Sequence, residues 1–170
     1  LDWMVRECAS RRDGAIHYIR AYRKNVREVY EPGTVFGIGK GQVLVPGSDV
    51  LLIGSGYLMS DALDAAESLK EKGISVEVVD PVTVKPFDEE LIRREAQGKK
   101  LVVTYENHSV INGIGSAVAD VLARHGAGVP LLKIGVNDVF GQVGTVDLLK
   151  IEFKLTSNDA VNAILAALSK

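Results

Sequence analysis

From residue 34 onward the sequence predicts an α/β domain of three layers, with a doubly wound, mostly parallel sheet between helices. Two observations carry this reading. Short apolar runs at residues 50–53, 74–79, 101–105 and 131–136 alternate with segments whose apolar residues recur at helical spacing. Glycine, proline or a capping residue punctuates many of the joins. Strands alternating with helices of about 10–16 residues build right-handed βαβ units and hence a parallel sheet.

The elements follow in order. Residues 1–12 (LDWMVRECASRR) resemble the end of a helix, and Asp13-Gly14 breaks it. Residues 15–20 (AIHYIR) predict a short strand. The polar stretch 21–33, closing on Glu31-Pro32-Gly33, predicts a linker. Little before residue 34 could form a core, so residues 1–33 are expected to be the tail of another domain, and Leu1 suggests a fragment or a processed chain. Residues 35–45 are expected to be extended, and Pro46-Gly47-Ser48 to turn. The run at 50–53 suits a strand buried on both faces. A helix is predicted over 57–72, with Leu58, Ala62, Ala65, Ala66 and Leu69 on one face and Gly73 at its end. Shorter helices are predicted over 88–97 and 113–125, the latter presenting Ile114, Val118, Val121 and Leu122. Thr145 can cap a short helix. Thr156 with Asp159 forms a capping-box pattern before a last helix striped by Val161, Ile164, Leu165 and Leu168.

Composition narrows the function. The 170 residues are 46% hydrophobic and 25% charged with net charge −2, which leaves little basis for nucleic-acid binding through phosphate neutralisation. No apolar run approaches the roughly 18 residues of a membrane span. The single cysteine, Cys8, excludes an internal disulfide and fits a reducing, cytoplasmic setting. No residues have metal-ligand spacing, so no protein-only metal site is inferred.

In doubly wound sheets, ligands bind beyond the carboxyl ends of the strands. Segments 54–56, 80–85, 106–115 and 137–144 are predicted to lie there. Gly54-Ser55-Gly56 lacks the third glycine of a dinucleotide fingerprint, since position 59 is Met59, so a tight turn is the simpler reading. Glu106 and His108, just before Asn112-Gly113-Ile114-Gly115, could do acid–base work. By spacing alone, a polar loop capping a helix is the simpler reading. The basic cluster Arg20, Arg23, Lys24 and Arg27 could hold an anion such as phosphate, or be a solvated linker face. These residues alone give an α/β domain with a polar edge and no self-contained catalytic group.

Three motifs add a resemblance. Residues 78–88 (VVDPVTVKPFD) resemble the D-P-x-T-x-K-P-x-D signature of transketolases. Residues 103–108 (VTYENH) with Asn112-Gly113-Ile114-Gly115 resemble the family's V-T-x-E-x-H…G-G-x-G segment, with Asn112 in place of a glycine. Residues 140–149 (FGQVGTVDLL) resemble its F-G-x-S-G-x-P-x-x-L-L ending, with Val143 and Val146 replacing Ser and Pro. Upstream, residues 18–25 (YIRAYRKN) are similar to the end of the family's pyrimidine-binding domain and its R-x-S-R-x-N segment, with Tyr22 replacing a small residue. Val82 stands where deoxyxylulose-phosphate synthases and 2-oxoacid dehydrogenase beta subunits usually carry arginine, which favours animal-type or split transketolases.

The resemblance implies a division into residues 1–33, ending the pyrimidine-binding domain, and residues 34–170, the C-terminal domain. It implies a homodimeric enzyme that moves a two-carbon ketol unit between sugar phosphates, using thiamine diphosphate and magnesium held elsewhere in the enzyme. Arg23 would contact the substrate phosphate, and Glu106 and His108 would lie near the active-site entrance. No catalytic residue and no metal ligand is expected in this chain, and the chain alone is expected to be inactive. The alternatives are the corresponding domain of a deoxyxylulose-phosphate synthase or 2-oxoacid dehydrogenase beta subunit, or a free-standing nucleotide-binding regulatory module.

Overall fold

The computed structural model describes residues 1–169. Its centre is a five-stranded sheet, β1 (Gln42–Val45), β2 (Val50–Gly54), β3 (Val76–Asp80), β4 (Leu101–Ser109) and β5 (Leu131–Val136), in the order β1-β3-β2-β4-β5. β2, β3, β4 and β5 are parallel, and β1 closes one edge antiparallel to β3. Helices α2 (Met59–Lys70) and α6 (Ser157–Leu168) cover one face, and α3 (Glu89–Glu95) and α4 (Ile114–Arg124) cover the other. A short α5 (Val146–Glu152) follows β5, and α1 (Asp2–Ser10) precedes the linker. The three-layer, doubly wound expectation therefore holds.

β2 explains why the sheet must be covered twice. Val50 and Leu52 face the α2/α6 core, Leu51 and Ile53 face the α3/α4 core, and all four are fully buried. Each such side chain contributes about 1.5–3 kcal/mol on burial. α2 fits closely because its inner face carries alanines, Ala62, Ala65 and Ala66, between Leu58 and Leu69. The predicted capping box forms: Thr156 Oγ1 accepts from the Asp159 N–H, and the Asp159 carboxylate accepts from the Thr156 N–H. Tyr105, fully buried in β4, donates its hydroxyl to the Leu155 carbonyl at 2.6 Å and ties the lead-in of α6 to the sheet.

Three expectations are corrected. Residues 15–20 are not a strand, and Ile16 and Tyr18 are 99% and 86% exposed. An extended segment becomes a strand only by pairing, and no ladder partner lies beside it among the described residues. Of residues 35–45, only Gln42–Val45 pairs into the sheet; 37–40 form a glycine turn. β4 runs four residues past Tyr105, so Glu106, Asn107 and His108 belong to the strand and not to a following loop. Its register shifts between Tyr105 and Ser109, where the backbone passes close to Gly135: a Cβ there would meet the His108 carbonyl at 2.8 Å. Among the described residues no helix is long and apolar enough to cross a membrane.

Candidate functional site at the carboxyl edge of the sheet

The signature 80–88 is a set of three struts. Asp80 Oδ1 accepts from the Val82 N–H at 2.8 Å, and its Oδ2 accepts from the Tyr30 hydroxyl at 2.5 Å. Thr83 Oγ1 donates to the Pro86 carbonyl at 2.8 Å and accepts from the Gly39 N–H at 3.0 Å. Asp88 Oδ1 accepts from the Leu91 N–H, capping α3, and its Oδ2 accepts from the Gly41 N–H, both at 3.1 Å. Each polar residue thus holds its own loop with one bond and the chain ahead of β1, residues 30–41, with the other. Burial pushes the Asp80 carboxyl above the usual carboxylate range, against the pull of its hydrogen bonds from Tyr30 and the Val82 N–H. Val82 sits at φ 59, a strained value for a β-branched residue, and the Asp80 contact helps hold it there.

Glu106 is 3% exposed. Its two oxygens accept from the N–H groups of Ile114 and Gly115, each at 2.8 Å, at the positive end of α4. His108 lies two residues on along β4, exposed, with Nδ1 3.1 Å from the Ser109 carbonyl oxygen. The structure therefore does not bring the Glu106 carboxylate and the His108 ring together as an exposed pair. Asn112, in the family's glycine position, adopts φ 58, a conformation asparagine tolerates.

The linker crosses this edge and is fastened by aromatic and charged contacts. Tyr22 stacks on Tyr57, ring centroids 4.9 Å apart. Arg27 donates to Asp64 of α2 at 2.8 Å. Tyr30 meets Phe36 edge-on at 4.8 Å, and Phe36 in turn lies 5.4 Å from Trp3 of α1. Under the linker is a groove of about 440 Å³, between Tyr22, Lys24 and Arg27 on one side and Tyr57, Asp61 and Lys150 on the other. Lys150 of α5 and Asp61 of α2 close its floor as an ion pair at 2.5 Å. Arg23 is exposed and makes no hydrogen bond or ion pair among the described residues.

A family model for the transketolase C-terminal domain matches residues 39–159. The chain belongs to that family. Among its relatives are a protein of Methanocaldococcus jannaschii described as a transketolase C-terminal section, 43% identical over 155 residues, and a 6-deoxy-6-sulfo-D-fructose transketolase subunit of a Clostridium species, 44% identical over 151 residues. They are covered over 90% and 89% of this chain but only 48% and 46% of their own lengths. A 1-deoxy-D-xylulose-5-phosphate synthase of Trichormus variabilis is 42% identical over 142 residues, 22% of its length. Among solved structures, a split-gene transketolase described as an inactive β4 tetramer superposes with a TM-score of 0.81 at 44% identity, covering 86% of this chain and 48% of that one. The chain spans about half the length of the transketolase relatives it matches.

Within this transketolase domain the glycine turn after β2 is filled by protein. A Cβ on Gly54 would meet the Met59 sulfur at 2.5 Å, so Met59 occupies the space directly over the turn. No group of three or more His, Cys, Asp or Glu side chains among the described residues is arranged to hold a metal ion. With Asp80, Asp88 and Glu106 committed to backbone and linker groups, the residues at this edge do not fit a magnesium diphosphate site. The contacts of Tyr22, Tyr30, Tyr57 and Asp64 were not legible in the sequence, because a polar linker carries no periodicity that says what it touches.

Proposed function

We propose that this chain is the C-terminal part of a thiamine-diphosphate-dependent transketolase, which transfers a two-carbon ketol unit between sugar phosphates. Residues 1–33 would end the pyrimidine-binding domain and residues 34–170 form the C-terminal domain. Cofactor and magnesium would be held by the rest of the enzyme, whether joined to this chain or carried on a partner subunit. This chain would supply assembly contacts and part of the substrate entrance, and no catalysis by itself. One observation carries the reading: the carboxylates at the carboxyl edge already hold backbone and linker groups, while Arg23 stands exposed and without a partner among the described residues. A guanidinium so placed suits the terminal phosphate of a sugar, which its fork can bind bidentately. His108, exposed near the end of β4, would face the entrance, and Glu106 would fix the loop and helix behind it.

Assembly, as a homodimer or with the rest of the enzyme, is supported by exposed apolar side chains on the 137–144 segment and α5, termed the ridge. Phe140 and Val143 are 98% and 102% exposed, and Leu148 and Ile151 continue the ridge. Monomers rarely leave such patches open without a partner.

A second substrate reading rests on the sulfosugar transketolase relative. A sulfonate is also a tetrahedral anion that an arginine can hold. The test is steady-state kinetics of the assembled enzyme with fructose 6-phosphate, 6-deoxy-6-sulfofructose and free fructose, with and without Arg23→Ala. Losing the charge-assisted contact removes about 1.5–3 kcal/mol, or roughly ten- to hundredfold in affinity for the anionic sugar. Free fructose is expected to be nearly unaffected. Equal losses for charged and free sugars, or none, would show that Arg23 does not read the anion.

A further inference from the structure

Arg23 lies in a segment with neither helix nor ladder to fix it. Two contacts bracket it. Tyr22 lies flat against Tyr57, with 25° between the ring planes, and Arg27 Nη1 reaches Asp64 Oδ1 at 2.8 Å. Both seats belong to one rigid body: Tyr57 stands in the 3₁₀ turn that opens α2, and Asp64 stands within α2. Around the bracket, Tyr22, Lys24, Asn25, Val26 and Arg27 all line the groove against α2 and α5, and Arg23 does not. Residues 22–27 are all exposed, and Arg23 is the one of them that does not line the groove; it has no hydrogen-bond or ion-pair partner among the described residues.

We propose that Tyr22, seated on Tyr57, is a positioning residue that sets where Arg23 presents its guanidinium to the anionic end of a sugar substrate, with the Arg27–Asp64 pair as its second anchor. This rests on the reading of Arg23 given above. The physical reason is preorganisation. A flexible arginine on an unpaired backbone must be ordered when the anion binds, and that ordering subtracts from affinity. A stacked aromatic ring is stiff, buries area and costs little side-chain freedom, so it suits the purpose. The position is not set by charge, because Arg27 and Asp64 are both more than half exposed and their pair is weak alone. The stack is the firmer of the two anchors.

The test uses the assembled enzyme and four variants: Tyr22→Ala, Tyr22→Phe, Arg23→Ala, and Tyr22→Ala with Arg23→Ala. Tyr22→Ala is expected to raise KM for fructose 6-phosphate about three- to tenfold, with kcat little changed and free fructose unaffected. Tyr22→Phe keeps the ring and is expected to match the wild type. In the Arg23→Ala background, adding Tyr22→Ala should cost nothing further, because there is no guanidinium left to aim. If Arg23→Ala shows its phosphate-selective loss but Tyr22→Ala shows none, or loses both sugars equally, or adds its full effect to Arg23→Ala, the positioning role is overturned while the reading of Arg23 stands. If Arg23→Ala itself spares fructose 6-phosphate, both fall together.

Discussion

Glu106 and Gly113 are matched to each other: a Cβ on Gly113 would lie 2.2 Å from Glu106 Oε2, so the carboxylate reaches the first N–H groups of α4 only because position 113 has no side chain. Gly113 has an ordinary negative φ, so the requirement is for space and not for backbone freedom. Gly113→Ala is therefore expected to destabilise the domain by about 1–3 kcal/mol, the usual cost of overpacking. Glu106→Gln should cost a similar amount, about 1–3 kcal/mol, because an amide presents a donor where one N–H needs an acceptor. Urea denaturation of the two variants checks both. An unchanged midpoint for Gly113→Ala would mean that the carboxylate can move away without loss.

Tyr30 is the linker's firmest tie to the sheet. Tyr30→Phe keeps the ring against Phe36 and deletes the donor to Asp80. A hydrogen bond to a charged acceptor contributes about 1.5–3 kcal/mol, and the loss should appear as easier proteolysis in residues 20–41 before any loss of the sheet core. The same deletion should raise the Asp80 pKa further, since the Tyr30 bond opposes the effect of burial.

At the opposite end of the sheet, Lys99 and Glu77 form a buried pair at 2.7 Å, each side chain 7% exposed, and Lys99 also donates to the Gly47 carbonyl. Burial holds the Glu77 carboxyl above its usual range while Lys99 draws it back. Removing one partner of such a pair is costly, and Lys99→Met is expected to lose about 3–5 kcal/mol near neutral pH. The sign with pH follows from linkage. A carboxyl whose folded pKa is raised contributes stability below its unfolded pKa, and that contribution is lost as pH rises through the folded value. Without Lys99 the folded value climbs, so the gap between variant and wild type should widen from about pH 4 upward toward neutrality. Denaturation midpoints of both proteins across that range test this, and a gap that narrows with rising pH would contradict it.

The ridge at the carboxyl edge makes a prediction about assembly. Phe140→Asp with Val143→Asp alters only exposed side chains, so thermal stability should shift by no more than about 0.5 kcal/mol. Self-association measured by sedimentation velocity should fall by at least about tenfold in affinity. Undiminished association would place the assembly surface elsewhere.

What the sequence made legible divides by physical cause. β2, α2 and α4 carry repeating apolar patterns that burial enforces, and Thr156 and Asp159 sit at a spacing that only a helix start explains. The extension of β4 through Glu106 and His108 was hidden because polar residues break the apolar run, although Glu106 is buried for the sake of α4. Residues 15–20 read as a short strand yet have no neighbour to pair with among the described residues. Asp80, Thr83 and Asp88 stood out as a motif, but their partners Tyr30, Gly39 and Gly41 lie roughly 45 to 50 positions earlier, a separation that only the fold closes.

On the function proposed above, this chain is one part of a ketol-transferring enzyme whose chemistry is held elsewhere. The most direct measurement compares ketol transfer from a ketose phosphate to an aldose phosphate by the purified chain, given thiamine diphosphate and magnesium, with transfer after addition of the cofactor-binding part of the enzyme. The expected result is no transfer by the chain alone and transfer on reassembly. Turnover by the chain alone, or a reassembled complex that binds cofactor and stays inactive on every phosphorylated and sulfonated ketose offered, would contradict it.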